Sequence, residues 1–120
     1  MENILKEKSY AFALRVVKLA QYLSSKKKEY VLSRQVLRSG TAIGALISEA
    51  EFAQSKPDFV NKLSVGLKEA NETHYWLKLL NEGNYISETM YNSIQPQAKE
   101  LIKLLVSSIK TAKENIKAEQ

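Results

Sequence analysis

The sequence predicts an all-α protein folded as an antiparallel up-down-up-down four-helix bundle. Three observations support this prediction: apolar residues recur at intervals of three and four in four successive segments, no segment alternates as a strand would, and the connections are short. With 120 residues, of which 44% are hydrophobic, residues 1–120 are expected to form a single domain around one core. The absence of cysteine excludes disulfides, thiol catalysis and cysteine-based metal sites.

The first segment predicts an amphipathic helix. Four large apolar residues are spaced by four, three and four positions, which places them on one helix face. They are Phe12, Val16, Leu19 and Leu23. This helix is expected to begin at Ser9 or earlier and to end within residues 24–28, where three lysines complement the negative end of the helix dipole.

The second segment carries a helical stripe with one polar interruption, Ser39. The apolar members of the stripe are Leu32, Val36, Ile43, Ile47 and Ala50. Gly40 and Gly44 lie inside this helix, and each costs about 1 kcal/mol of helix propensity relative to alanine. Because small residues allow two helices to approach closely, we expect another helix to pack against this part of the second one.

The third helix has a clear start signal. Ser55 can cap the helix, Pro57 falls in the first turn, and Asp58 favours the positive end of the dipole. Its predicted stripe consists of Phe59, Leu63, Gly66, Leu67, Ala70, Leu77 and Leu80. Gly83 with Asn84 is expected to end the helix in a left-handed cap.

The fourth segment has the cleanest amphipathic pattern of the chain. It is predicted to begin near Ser87, and its stripe consists of Ile94, Ala98, Leu101, Leu105, Ile109, Ala112 and Ile116. Pro96 removes a backbone donor and crowds the preceding turn, so we expect a kink or break around residues 92–96. Residues 117–120 are expected to fray.

Charge and targeting signals restrict the location and the partners. The first residues mix acids with bases and precede no signal-peptide core, and no apolar stretch approaches 18 residues, so a cytoplasmic location without membrane association is predicted. The net charge is +5, and residues 1–38 hold nine Lys and Arg against three acids. This excess favours an acidic partner such as RNA or DNA, whereas ordinary solubility charge is the alternative.

Basic residues of the first third form the candidate nucleic-acid-binding set. The set consists of Arg15, Lys18, Lys26, Lys27, Lys28, Arg34 and Arg38. A second stripe on the fourth helix consists of Lys99, Lys103, Lys110 and Lys117. On one protomer either set is expected to be a solvated face, but a ring of subunits would repeat it and could hold a phosphate backbone without reading bases.

Enzyme chemistry is not predicted. A di-iron bundle needs two Glu-x-x-His pairs, but the only histidine is His74 and Asn71 precedes it by three. The chain has neither a Gly-x-Ser-x-Gly nucleophile elbow nor a phosphate-binding glycine loop. We therefore expect no catalytic residue, no metal and no cofactor. A hydrolase built on Glu49 or Glu72 is the minor alternative.

Charged residues on core-bearing helices predict a structural polar network. Arg38 and Glu49 are eleven residues apart and therefore share one face of the second helix, while Glu69 and Glu72 lie on the third. If these helices are antiparallel, a partly buried network of the four can fix their register. The competing interpretation is a catalytic carboxylate pair.

Aromatic residues predict self-association. Tyr75 and Trp76 are adjacent, so at least one points away from the core, and both residue types are favoured in interfaces. They are the interface candidates, whereas scattered surface aromatics are the alternative.

Three stretches carry a family resemblance: QVLRSGTAIGALISEA at 35–50, QSKPDF at 54–59 and LKEANETHYWL at 67–77. They resemble the four-helix bundle proteins encoded in intervening sequences of 23S ribosomal RNA genes, over nearly the whole chain. The resemblance implies a small cytoplasmic bacterial homopentamer without enzymatic activity. That family is similar to the accessory variability protein of diversity-generating retroelements, a pentameric barrel that binds nucleic acid and the reverse transcriptase. Ala42 and Leu46 depart from the family pattern, which has Ser and Asn there.

The expected function is therefore that of a non-enzymatic bundle that forms a homo-oligomer, a pentamer by resemblance, and binds RNA or DNA through repeated basic surface. The alternative is a protein–protein interaction or scaffold module with no nucleic-acid role, in which the positive charge is incidental.

Overall fold

The computed structural model describes residues 2–120 and contains four helices: α1 (Glu2–Lys26), α2 (Leu32–Ala50), α3 (Lys56–Glu82) and α4 (Glu88–Ala118). The described residues contain no strand. The molecule measures 53 × 22 × 20 Å, as expected for helices of this length lying side by side. The prediction of an all-α four-helix bundle is confirmed.

The helices close into a four-cornered arrangement. Each helix packs against its neighbour in sequence, and α1 also meets α4, but this last seam has far less contact than the other three. The connections at 27–31 and 83–87 lie together at one end, which we call the double-loop end. At the opposite end, Lys6 pairs with Glu51 at 2.8 Å and Lys56 pairs with Glu119.

The predicted apolar stripes form the core. Its largest fully buried side chains include Phe12, Val16, Leu23, Val36, Ile43, Leu63, Leu77, Leu80, Leu101 and Leu105. Leu32, Phe59 and Leu67 are half-buried at the edge of this core. The stripe periodicity therefore identified the inward faces, and the helix ends account for most of the remaining exposure.

The small residues of α2 allow α1 to approach closely, as predicted. A Cβ added at Gly40 would lie 2.7 Å from Cγ1 of Val16, which is fully buried on α1. At Gly44 the added Cβ would lie 3.5 Å from the carbonyl oxygen of Ser9, an ordinary contact. Close packing against α1 thus offsets the propensity cost of Gly40.

Helix ends follow the predicted signals with one difference. The Ser55 hydroxyl accepts from the Asp58 amide at 3.1 Å, and the Ser87 hydroxyl accepts from the Met90 amide at the same distance. The left-handed residue after α3 is Asn84, with φ of 66°, while Gly83 has φ of −82°. Asparagine tolerates this conformation because its short polar side chain adds little steric cost.

Helix α4 continues through Pro96, so of the predicted kink or break the break is absent. Ile94 and Ala98 are buried on either side of the proline, and their packing holds the helix together across it. Pro96 cannot donate to the carbonyl of the preceding turn, and its ring crowds that turn. The carbonyl oxygen of Ser93, in the same turn, accepts a hydrogen bond at 3.0 Å from Arg15 of α1.

Candidate nucleic-acid interface

The end of α1 presents the densest positive charge of the described chain. Lys26, Lys27 and Lys28 are all exposed, and none makes an ion pair with a described residue. Lys28 has φ of 55°, so the chain leaves the helical path there, at the double-loop end. We call these residues the lysine cluster.

The adjacent acid does not pair with the lysine cluster. Glu29 accepts three backbone N–H groups of the first turn of α2, from Val31, Leu32 and Ser33, at 2.8–3.2 Å. These groups form the positive end of a helix dipole, which offsets the carboxylate charge. The lysine cluster therefore keeps its own charge exposed to solvent.

Arg34 and Tyr30 lie beside the lysine cluster. Arg34 is exposed near the start of α2 and forms no described ion pair, and Tyr30 is exposed in the connection before it. Exposed cations next to an aromatic ring are typical of surfaces that bind single-stranded nucleic acid, where the cations hold phosphates and the ring stacks on bases.

Two members of the predicted basic set are not free surface cations. Arg15 is half-buried and donates to the carbonyl oxygen and the hydroxyl of Ser93 at 3.0 and 2.9 Å, and to Oε1 of Gln97 at 2.8 Å. Arg38 pairs with two carboxylates of α3. Lys18, one turn from Arg15, is exposed and forms no ion pair with the side chains of residues 4–120.

Arg38 belongs to an ion-pair network between α2 and α3. Its Nη1 donates to Oε1 of Glu69 at 3.1 Å, and its Nη2 donates to Oε2 of Glu72. Nε1 of Trp76 donates to the same Glu72 oxygen at 3.0 Å. The hydrogen bond from Trp76, reinforced by Arg38, lowers the pKa of Glu72 although burial opposes it, and the bond to Glu72 raises the pKa of Arg38. Both groups are therefore charged at neutral pH.

Glu49 lies outside this network, which differs from the expectation. It pairs instead with Lys62 of α3, at 3.3 Å. The reason is distance along the helix: eleven residues bring Glu49 and Arg38 to the same face but separate them by about 16 Å. Charges on a shared face meet only when they are one turn apart.

A buried hydroxyl pair beneath the network was not predicted as part of it. The hydroxyls of Ser39 on α2 and Thr73 on α3 are hydrogen-bonded at 2.8 Å, and both residues are fully buried. Ser39 was visible as the one polar interruption of the α2 stripe. Thr73 fell inside the α3 stripe, and only the pairing of the two helices shows that it meets Ser39.

The two interface candidates behave differently. Tyr75 is 57% exposed, whereas Trp76 is half-buried, packs against the core and is held by Glu72. The rings meet edge to face, with centroids 5.2 Å apart. Only Tyr75 therefore presents a large aromatic surface to solvent.

A second exposed apolar surface lies between α1 and α2. Tyr10 is 67% exposed and Leu14 is 49% exposed, and both line a groove of about 630 Å³ together with Ala13, Gly44 and Ala45. We call this surface the α1–α2 face. The sequence signal for this face is the four-residue spacing of Tyr10 and Leu14, which places both on the side of α1 opposite Phe12.

His74, the remaining sequence candidate for chemistry, has the side-chain amide of Gln95 as its hydrogen-bond partner among the described residues. His74 is half-buried, and burial, followed by the nearby Lys99 and Lys78, lowers its pKa, which favours the neutral form of the ring. Its Nε2 lies 3.5 Å from the Gln95 amide nitrogen. Among the side chains of residues 4–120, no three acidic or histidine side chains form a possible metal site. None of the described helices is both long enough and apolar enough to cross a membrane.

Comparisons with known proteins agree with this architecture. The family model described as 23S rRNA-intervening sequence protein matches residues 1–107. A crystal structure from Bacteroides thetaiotaomicron VPI-5482, described as a protein with unknown function from the S23 ribosomal protein family, is 54% identical and has a TM-score of 0.89. The similarity covers 91% of this chain and 97% of the other. A search of curated proteins found no match.

Proposed function

The chain belongs to the 23S rRNA-intervening sequence protein family, and from this premise we propose that it is a non-enzymatic, cytoplasmic bundle protein that self-assembles and binds RNA or DNA. The lysine cluster is the observation that carries the nucleic-acid part of the proposal. Three consecutive exposed lysines, with Arg34 and Tyr30 beside them, lack ion-pair partners in the described chain, and the one adjacent acid is occupied by backbone donors. Such a surface attracts a phosphate backbone.

The assembly proposed is a homopentamer, as the family resemblance implies. A closed ring of identical subunits needs two different surfaces on each protomer, because each contact is heterologous. The α1–α2 face and the surface around Tyr75 are two such surfaces, on different helices. A ring would repeat the lysine cluster on every subunit and so sum its field over an area that a long strand could follow.

A protein-docking role is the second candidate, favoured by the exposure of Tyr75. Under this alternative the aromatic side chain binds a different protein and the positive charge is incidental. A Tyr75→Ala change tests this alternative: loss of a protein partner with the assembly mass and the nucleic-acid affinity unchanged would favour docking, whereas loss of the assembly would assign Tyr75 to self-association.

Charge-neutral variants of the lysine cluster test the nucleic-acid proposal. The affinity of the full chain for a labelled 20-nucleotide strand is measured by fluorescence polarisation at 50 and 200 mM salt. With four phosphate contacts, affinity should fall about 50-fold across this range. The triple change Lys26→Gln, Lys27→Gln and Lys28→Gln should weaken binding at least tenfold at low salt and flatten the salt dependence, because fewer counterions are released.

The matched control is the triple change Lys68→Gln and Lys78→Gln on α3 with Lys113→Gln on α4, which lies outside both basic sets. It removes the same charge from exposed, unpaired positions of the described chain, and it should leave affinity within about threefold. Equal losses in both variants would contradict a localised site, and no binding to the unmodified chain at 50 mM salt would reject nucleic-acid binding altogether.

A further inference from the structure

The sparse seam between α1 and α4 opens into a groove near the double-loop end. The groove has a volume of about 460 Å³, within the range of about 300–1,000 Å³ that small-molecule sites occupy. Its floor is apolar, since Leu19, Ile86 and Ile94 are buried there and Met90 is half-buried. Its rim carries Arg15, Lys18, Tyr22, Thr89 and Ser93. An apolar floor with a cationic rim suits a ligand that is part aromatic and part anionic.

Arg15 is a positioned cation at this rim. Both hydrogens of its Nη1 are used by Ser93 and Gln97, and one hydrogen of Nη2 is used by the Ser93 hydroxyl. All three acceptors are neutral, so the guanidinium keeps its full charge. A guanidinium has five N–H donors, which leaves one on Nη2 and the one on Nε without a partner in the described chain. The hydrogen bonds to α4 thus fix the orientation of an uncompensated charge.

Two further features favour an anion at the same rim. Lys18 is exposed and unpaired within the described residues, and it lines the groove with Arg15. Thr89 and Met90 belong to the first turn of α4, whose backbone forms the positive end of a helix dipole. No carboxylate lines the groove.

The groove also lies on the face of α1 that leads toward Lys26 of the lysine cluster. Tyr22 and Lys26 follow Arg15 by seven and eleven residues, which places each of them within roughly 20° of Arg15 around α1, on opposite sides of it. Tyr22 lines the groove and offers a ring on which a base can stack. A strand anchored in the groove can therefore continue along α1 to the lysine cluster.

We propose that the α1–α4 groove binds one unpaired nucleotide of a single-stranded nucleic acid, with the phosphate at Arg15 and Lys18 and the base on the apolar floor beside Tyr22. This inference rests on the proposed nucleic-acid binding and adds that the protein distinguishes unpaired strands from duplexes. Paired bases cannot enter the groove, because their faces are covered by stacking and their edges by their partners.

A groove-filling substitution tests this site. Thr89→Phe places a ring at the exposed rim, and the matched control Thr111→Phe makes the same change at an exposed position on the far half of α4. Affinities of the full chain and both variants are measured for a labelled 12-nucleotide RNA strand, a DNA strand of the same sequence, its duplex, and an abasic strand of equal length. The RNA and DNA arms identify which sugar the site accepts.

The unmodified chain should bind at least one of the two normal strands tenfold or more tightly than the abasic strand and the duplex. Thr89→Phe should abolish this preference while Thr111→Phe retains it, and Lys18→Gln should weaken binding of the preferred strand severalfold. Equal affinity for normal and abasic strands, or an unchanged preference in Thr89→Phe, would overturn the groove site and leave the role of the lysine cluster intact. If no strand binds the unmodified chain, the proposed function fails together with the site.

Discussion

At the scale of single residues, Gly40 and Gly66 differ in how much room the bundle leaves for an added methyl group. A Cβ at Gly40 would meet both methyl groups of the buried Val16, at 2.7 and 2.8 Å. A Cβ at Gly66 would meet only Cβ of Leu46 and Cδ2 of Leu105, at 3.8 and 3.9 Å. Because cores are packed as densely as crystals, the first contact forces a displacement, whereas the second is an ordinary van der Waals contact.

We expect Gly40→Ala to lower the free energy of unfolding by about 1–3 kcal/mol, because overpacking outweighs the gain in helix propensity. Gly66→Ala should raise it by up to about 1 kcal/mol, since the propensity gain comes without a clash. Urea unfolding of both variants measures the difference. Stabilisation by Gly40→Ala would mean that α1 can move away from α2 at no cost.

The charged residues show where single-sequence reasoning stops. Spacing placed Arg38 and Glu72 on two neighbouring helices, and their contact needed only antiparallel packing. Spacing also placed Glu49 on the same helix face as Arg38. It could not supply the axial offset between α2 and α3, which brings Glu49 into an ion pair with Lys62. The partners of Arg15 could not be predicted either. Ser93 and Gln97, which accept its hydrogen bonds, are some eighty residues away in sequence. Helix faces are local properties, whereas partners depend on the register between helices.

At the scale of the elements, the helix starts of α3 and α4 rest on serine caps. Each hydroxyl satisfies one of the backbone N–H groups that a helix start leaves without a partner. These caps, and the ends of the helices, could be predicted because capping is a local interaction. The continuity of α4 through Pro96 could not, because it depends on the packing of Ile94 and Ala98 against the other helices.

Ser55→Ala and Ser87→Ala should each lower the free energy of unfolding by about 1 kcal/mol, through loss of the cap. Ser107→Ala is the matched control, an exposed serine inside α4 where alanine is the better helix former, so its stability should be unchanged or slightly higher. Thermal and urea unfolding followed by circular dichroism measure all three. Equal values for the caps and the control would show that water replaces the cap hydroxyls without loss.

At the scale of the whole molecule, self-assembly is expected to depend on the α1–α2 face and on Tyr75. Light scattering coupled to size exclusion at micromolar concentration should give about five times the 13.6 kDa of one chain. Leu14→Lys and Tyr75→Lys should each reduce that mass, because a lysine cannot be desolvated in an apolar contact without a partner.

Val106→Lys is the control for this experiment, since Val106 is 50% exposed on α4 and Leu14 is 49% exposed on α1. The control should leave the mass unchanged. A monomer for the unmodified chain would reject self-assembly, and dissociation caused by Val106→Lys alone would move the interface to α4.

The sparsely packed seam between α1 and α4 also determines where the bundle can open locally. Proteins open first along the boundary with the fewest contacts. The α1–α2 and α3–α4 hairpins should therefore separate along the α1–α4 seam, with the well-packed α2–α3 pair acting as the hinge. Arg15 holds the two hairpins together, because its three hydrogen bonds join α1 to α4 across the seam. A ligand in the groove beside Arg15 would contact both hairpins. Ligand binding would therefore favour the closed seam, and the closed seam would favour ligand binding.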